Sequence, residues 1–504
     1  MSLADPRELI LRIYDEELGL RLTNFSIKPV HVANGLARAL TERSYSTKPL
    51  AQTLRRWVRQ QKLGVDKEEY PNEVILERYG TAFEARRGTK PDVQQLNRLR
   101  LLAKDALGAD KAVFQQEDQS SYTLSNERFV TRDPSDVRAG LFLARLLRAE
   151  PADRADAADL ILTLLKSETD AWTTLALPLL DLGEPREDVL DGDAAALAAK
   201  SDHLFASDDG QLSSPTLRVL RDAFDRLARF EEMTGSKLNS LRRLILFGCF
   251  AVHVHALSRW HERNSGAPRP PILLDMFDGT LTSLRDASRA TVRAAGDSIE
   301  GLLLECVREF VEAEIGTSKK DILAALQSEE GNPDLIPDFE VYIGGGQSPI
   351  NAIAQVLVDA AMNDPKMREH PIGALVELGR RAGFLTPWSN AGRGGKLQKR
   401  YTATAEFLET LVAATVAPDD PLEFPEFLER LRDDYGIVLG RPQDDLLIRH
   451  NNLHGFHFGP PTSINEEDLR RNVHQLRALI LESGYGKSYA DGRTIVTTAP
   501  EGDL

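Results

Sequence analysis

Apolar residues recur at three- and four-residue spacing through most of this chain, with charges set between them. PRELILRIYDEEL (6–18) and KPLAQTLRRWVRQQKLG (48–64) carry that period, which predicts amphipathic helices over residues 1 to about 115. The polar, partly alternating stretch 112–136 predicts a boundary with two short strands. A helical array is expected over 133–316. In SPTLRVLRDAFDRLARFEEMTG, Ser214 is placed as an N-cap with Pro215 in the first turn. SKLNSLRRLILFGCFAVHVHALSRWHERN (236–264) is apolar nearly all round in its middle, the mark of a central buried helix. TSLRDASRATVRAAGDSIEGLLLECVREFVEAEIG (282–316) predicts one long helix, or two broken near Gly296. The acidic run 184–214 is expected to be a surface excursion. No fixed-period repeat is present.

Beyond about 317 the pattern changes. DFEVYIGGG, KLQKRYTA, GIVLG and RTIVTT read as strand-like pieces between helices. Within this region HPIGALVELGRRAGFLTPWSNAGRGGKLQKRYTATAEFLETLVAATV (370–416) has a definite order. A helix with Ile372, Leu375, Val376 and Leu378 inward, and Gly379 near its exposed side, turns through AGFL. A Gly-rich basic loop follows, the chain returns as KLQKRYTA, and a second helix sets Phe407, Leu408, Leu411 and Val412 on one face. The run SINEEDLRRNVHQLRALILESGYGKSYADGRTIVTT (463–498) repeats the helix-then-hairpin order, with a capping-box spacing at Ser463 and Glu466 and a turn at Asp491-Gly492.

The first of these segments resembles the second half of a winged helix-turn-helix: recognition helix, two-stranded wing, closing helix. The second is similar to another winged module, or to a helix-plus-wing dimerisation unit. The resemblance rests on element order over fewer than 50 residues. It implies binding of duplex nucleic acid, with the helix in a groove and the wing on the backbone, or docking to other subunits.

Charge sharpens that expectation. The 504 residues carry 62 Lys and Arg against 77 Asp and Glu, a net charge of −15, so the whole surface is not that of a nucleic-acid binder. The balance is uneven, with 20 Lys and Arg against 15 Asp and Glu in residues 1–111. From Leu378 to Ala405 there is no carboxylate, while Arg380, Arg381, Arg393, Lys396, Lys399 and Arg400 are all present. Cations beside glycines suit phosphate contact, because side chains and backbone amides approach closely. These six residues are the expected nucleic-acid-binding set.

Several look-alikes weigh against catalysis. PPILLDMFDGTLTS (270–283) resembles the phosphatase signature of haloacid-dehalogenase enzymes, but Met276 occupies the nucleophile position and Asp275 is one residue off. On a strand that shift turns the carboxylate to the other face. VYIGGGQSPINAIAQ (341–355) reads as strand, glycine loop and helix without the GK[ST] of a P-loop, and Ser348 and Pro349 explain the helix start. Cys249 and His253 stand at i,i+4 with His261 on the same face, yet in the most apolar helix of the chain, where core histidines are expected. HNNLHGFHFGPP (450–461) brings together three of the chain's 10 histidines. On a helix His450, His454 and His457 would share a face, but the Asn, Gly and Pro residues between them resist a helix. The segment is expected to connect the two helix-and-wing modules.

The two cysteines, Cys249 and Cys306, form neither a CxxC pattern nor a disulfide framework, which suits a reducing cytoplasm. The first twenty residues hold acids throughout and lack a signal-peptide core, and the longest apolar stretch, 244–252, is short for a membrane span.

The expected fold is mostly α and multidomain, with helical N-terminal and central regions and a C-terminal α+β winged-helix-like region. Four units are expected: 1–115, 133–316, 335–416 and 420–504. The expected function is a non-catalytic nucleic-acid-binding or scaffold subunit of a bacterial multiprotein system, in genome or phage defence or DNA processing. It would be cytoplasmic, without a cofactor or membrane, and partnered by double-stranded nucleic acid, other subunits or further copies of itself. The alternative is a metal-dependent hydrolase or nuclease holding zinc or another divalent metal on His450, His454 and His457.

Overall fold

The structure is a computed structural model. It describes residues 3–23, 27–43, 57–58, 71–108, 126–130, 135–149, 157–169, 173–174, 177, 199–205, 212–234, 236–264, 269–364, 367, 372–386, 399–440 and 465–499. The expected strands near 112–136, most of the acidic run 184–214 and the histidine segment 450–461 lie largely or wholly outside them.

The fold is mostly helical. The first half comprises α1 (Pro6–Ile13), α2 (Pro29–Thr41), α3 (Asn72–Arg87), α4 (Val93–Gly108), α5 (Ala139–Arg148), α6 (Ala157–Lys166), α7 (Pro215–Thr234) and α8 (Lys237–Arg263). At the head of α7, Ser214 caps as expected, its Oγ accepting from the Leu217 amide at 3.2 Å. Around α8 pack α2, α7 and two later helices, α9 (Thr282–Glu314) and α14 (Ala405–Thr415). Being apolar on every side, α8 has no polar face to give to water, and residues 246–259 are buried throughout. It is the one helix among the described residues long and apolar enough to cross a membrane, and 83% of its most apolar window is buried inside the protein.

One buried cluster runs from Leu3 to Val496, through all four of the expected units. Trp57, Ile75, Phe83, Leu96 and Leu99 are buried apart from it. There the Trp57 indole donates to Asn72 Oδ1 at 2.9 Å, and Asn72 donates to Asn97 at 2.7 Å, which ties the α3–α4 pair.

Helix α9 is continuous over 33 residues, with no break at Gly296. Two further expectations are corrected. DFEVYIGGG is not a strand: Ile336–Gly344 is helix α11, opened by Pro337 in its first turn and anchored by buried Phe339. A short apolar run with a helix-opening proline satisfies either period, and the proline decides here. The last long helix, α16 (Glu466–Glu482), is capped by Asn465 rather than Ser463, the Asn465 Oδ1 accepting from the Glu467 amide at 3.0 Å.

The remaining helices of eight or more residues are α10 (Lys319–Gln327), α12 (Pro349–Asn363), α13 (Ile372–Ala382) and α15 (Phe424–Tyr435), and a single turn of helix stands at Asp202–Phe205. Strands are short. Antiparallel β2 (Leu385–Thr386) and β3 (Arg400–Tyr401) stand between α13 and α14. Strands β4 (Leu422–Glu423), β6 (Gly486–Ser488) and β7 (Thr494–Val496) form a sheet in the order β4-β7-β6. The β6–β7 hairpin turns at Asp491-Gly492 as expected, Gly492 having φ +86°. Strand β1 (Ile272–Leu273) runs parallel to β5 (Ile437–Val438), and Leu274 bridges in parallel to Tyr401. Segments more than a hundred residues apart thus meet beside the first turns of α9.

Candidate functional site: the base of the basic hairpin

The expected order of helix, two-stranded ladder and helix is present over α13, β2, β3 and α14. Leu385 pairs with Tyr401 and Thr386 with Arg400. Gly379 is buried rather than near an exposed side. Phe384 and Leu385 fold back over it, and a Cβ there would stand 2.5 Å from the Phe384 ring. The reversal needs Gly383, at φ +91°.

Two features differ from what the resemblance implies. Helix α13 buries Gly373 through Gly379 and Ala382, so it has no broad free face to lay in a groove. The expected cations also do not form one surface. Arg393 and Lys396 lie outside the described residues. Arg380 pairs with Glu377 at 2.5 Å, and Arg381 lies 3.8 Å from the same carboxylate. Lys399 and Arg400 are buried, at 1% and 8% exposure, instead of facing solvent. Burial and the nearby Arg380 push the Lys399 ammonium below its usual range, against the pull of Glu377.

Strand β3 is held from several sides. The Tyr401 amide donates to Ser288 Oγ of α9 at 2.9 Å, the Asp275 amide donates to the Tyr401 carbonyl at 2.9 Å, and Tyr401 Oη stands 2.8 Å from His253 Nε2 of α8. The Arg400 guanidinium enters the DMFDGT loop, where Nε is 2.9 Å from Asp275 Oδ2 and Nη2 is 2.5 Å from Asp278 Oδ1. Asp275 is fully buried, and its two oxygens accept from the Phe277 amide at 3.0 Å and the Gly279 amide at 2.8 Å. Burial nonetheless raises its pKa, outweighing those amides and Arg400. A Cβ on Gly279 would sit 2.9 Å from Arg400 Cζ, so glycine is what lets the guanidinium lie against this turn. Below the loop Leu273, Leu284, Ala287, Val438 and Leu469 form a small separate core. The loop that looked like a phosphatase signature is therefore the socket in which the base of the hairpin is fixed.

The sequence reading missed the cations on α9. Arg285, Arg289 and Arg293 recur every four residues along the flank of α9 beside the loop. Their spacing was visible in TSLRDASRATVR, but a periodic arginine on a long helix also reads as an ordinary solvated face. Burial, Arg285 and Arg400 push Arg289 below the usual guanidinium range, opposed by Asp286.

Among the described residues no group of three or more His, Cys, Asp or Glu is arranged to hold a metal ion. The two cysteines are buried thiols, and burial raises the pKa of Cys249. Burial lowers His253 to about 3, so the imidazole is neutral against Tyr401. His255 points away from it, toward the Leu18 carbonyl, and stacks on Phe142. His450, His454 and His457 lie outside the described residues.

The chain matches no protein-family model and no curated protein.

Proposed function

We propose that this protein is a non-catalytic subunit that binds the backbone of double-stranded nucleic acid through the connection between β2 and β3, within a cytoplasmic bacterial multiprotein system of the genome-defence or DNA-processing kind. The observation that carries the reading is the ladder itself. It closes an acid-free, glycine-rich connection, 387–398, on a base fixed to the core through Tyr401 and Arg400. Arg393 and Lys396 then supply the phosphate contacts, with Arg381 flanking them, while Arg400 and Lys399 belong to the stem.

Because α13 is buried, the proposed binding follows the backbone and discriminates little between base sequences. Phosphate contacts of this kind release counterions, so the affinity falls steeply with salt. The test is fluorescence anisotropy with a labelled DNA duplex at low salt. R393E/K396E, with an unchanged circular dichroism spectrum, is expected to abolish binding. Absence of wild-type binding at low salt overturns the nucleic-acid reading.

A further inference from the structure

The arginines around the DMFDGT loop outnumber what the loop gives them. The Tyr401 amide rests on Ser288, next to Arg289, and Arg289 feels the charges of both Arg285 and Arg400. Asp275, Asp278 and Asp286 are the carboxylates paired with these three arginines. Arg285 Nε and Arg289 Nη1 share one oxygen of Asp286, each at 3.1 Å. Two donors remain without a hydrogen-bond acceptor although both are buried, Arg289 Nε and Arg400 Nε. The second lies close to Asp275 Oδ2, at 2.9 Å, but its N–H is not aligned on that oxygen. A buried guanidinium N–H without an acceptor is costly. Nε of Arg7, Arg263, Arg380 and Arg381 is in the same state, and what marks this loop is that an exposed carboxylate, Asp278, is the partner of one of the two arginines.

Asp278 differs from the other carboxylates. Its side chain is 87% exposed, yet it reaches in to the nearly buried Arg400. It does so from a left-handed backbone, φ +49°, which L-residues other than Asn and Asp rarely adopt.

We propose that Arg285, Arg289 and Arg400 form a phosphate-binding site, and that Asp278 is a built-in competitor that a phosphate group displaces. The planar donor forks of three guanidiniums suit the oxygens of a phosphate monoester or diester. Arg293, one turn further along α9 and exposed, extends the line by about 6 Å, the rise of four helical residues. The site deepens the nucleic-acid reading, on which it rests for the phosphate's carrier: a duplex engaged by these arginines would lay its backbone along the flank of α9. A small phosphorylated molecule would use the same donors.

The experiment compares wild type, D278N and R285Q/R289Q with two probes. Inorganic phosphate is followed by calorimetry and a labelled DNA duplex by anisotropy. Asn tolerates the left-handed turn, and Gln keeps a polar side chain on the half-buried flank, so circular dichroism and urea midpoints should stay near wild type. Binding of inorganic phosphate, tightened several-fold in D278N and lost in R285Q/R289Q, supports the site. Duplex binding that tightens in D278N and whose logarithmic salt slope drops by about one to two in R285Q/R289Q names the duplex as carrier. Phosphate binding without duplex binding keeps the site and gives it to a small molecule, and the nucleic-acid reading fails. Duplex binding indifferent to both changes overturns the site and leaves that reading standing. No response to either probe overturns both.

Discussion

Replacing Arg400 by methionine removes the cation from a fully buried carboxylate. Asp275 has no exposed surface, and its remaining partners would be the amides of Phe277 and Gly279. Removing one member of a buried ion pair costs about 3–5 kcal/mol, because the other is left charged and unpaired. Arg400 also pairs with Asp278, but that carboxylate is exposed, and its share is within the roughly 0–1 kcal/mol of a surface pair. The expected loss for R400M at pH 7 is therefore about 3 kcal/mol, read from urea midpoints at constant slope. Its pH dependence is diagnostic. Burial already raises the Asp275 pKa in the wild type, and R400M raises it further. Above the folded pKa the carboxylate carries the full penalty. Below the unfolded carboxylate value it is protonated in both states and the penalty is absent. The gap between wild type and R400M should then be widest above the raised Asp275 pKa and narrow as pH falls through it. The double variant D275N/R400M replaces the pair by neutral groups and should recover most of the loss. A double variant as unstable as R400M, or a gap that does not change with pH, refutes the reasoning.

Three further outcomes follow from other parts of the molecule. A Cβ on Gly140 would stand 2.2 Å from the Gly35 carbonyl carbon and the Leu36 amide nitrogen, where α5 crosses α2. G140A should therefore cost about 3 kcal/mol and lower the thermal midpoint, and a neutral G140A contradicts the close crossing. His253 and His255 are buried neutral, their pKa values lowered from 6.5 to about 3 and about 4. The unfolded chain takes up these protons first, so stability is fully present above 6.5 and lost as pH falls below it, by about 2 kcal/mol per histidine at pH 5. H253Q should lose less between pH 7 and pH 5 than wild type, and equal losses contradict the assignment. G279A adds a methyl against the Arg400 guanidinium and strains a glycine at φ +77°, so its urea midpoint should fall while that of T280A, altering an exposed neighbour, should not.

What the sequence disclosed was local. The periodicity of 372–382 and 405–415, the reversal between them and the Asp491-Gly492 turn each depend on a few neighbouring residues, and all three are present. The buried character of α8 followed from its lack of a polar face. Longer-range relations were not legible. Nothing near Ile272 states that it pairs with Ile437, and nothing near Arg400 names Asp275 as its partner. This is why Lys399 and Arg400 read as a free basic surface: six cations in an acid-free run look solvated until carboxylates from another segment fold against them. The DMFDGT loop was rejected as a phosphatase nucleophile on the side its carboxylate would face, but its role as a socket required knowing what enters it. The apolar run at 336–344 fits both periods over so short a length, so its helix is not legible from periodicity alone.

The most direct test of the central claim is the salt dependence of duplex binding by the wild-type protein and by R393E/K396E. Wild-type binding at low salt is expected to weaken linearly on logarithmic axes, with a slope of about −0.9 for each phosphate engaged, and the variant is expected to show no measurable binding. Wild-type protein that leaves the duplex free at low salt, or a folded R393E/K396E that binds as the wild type does, would contradict it.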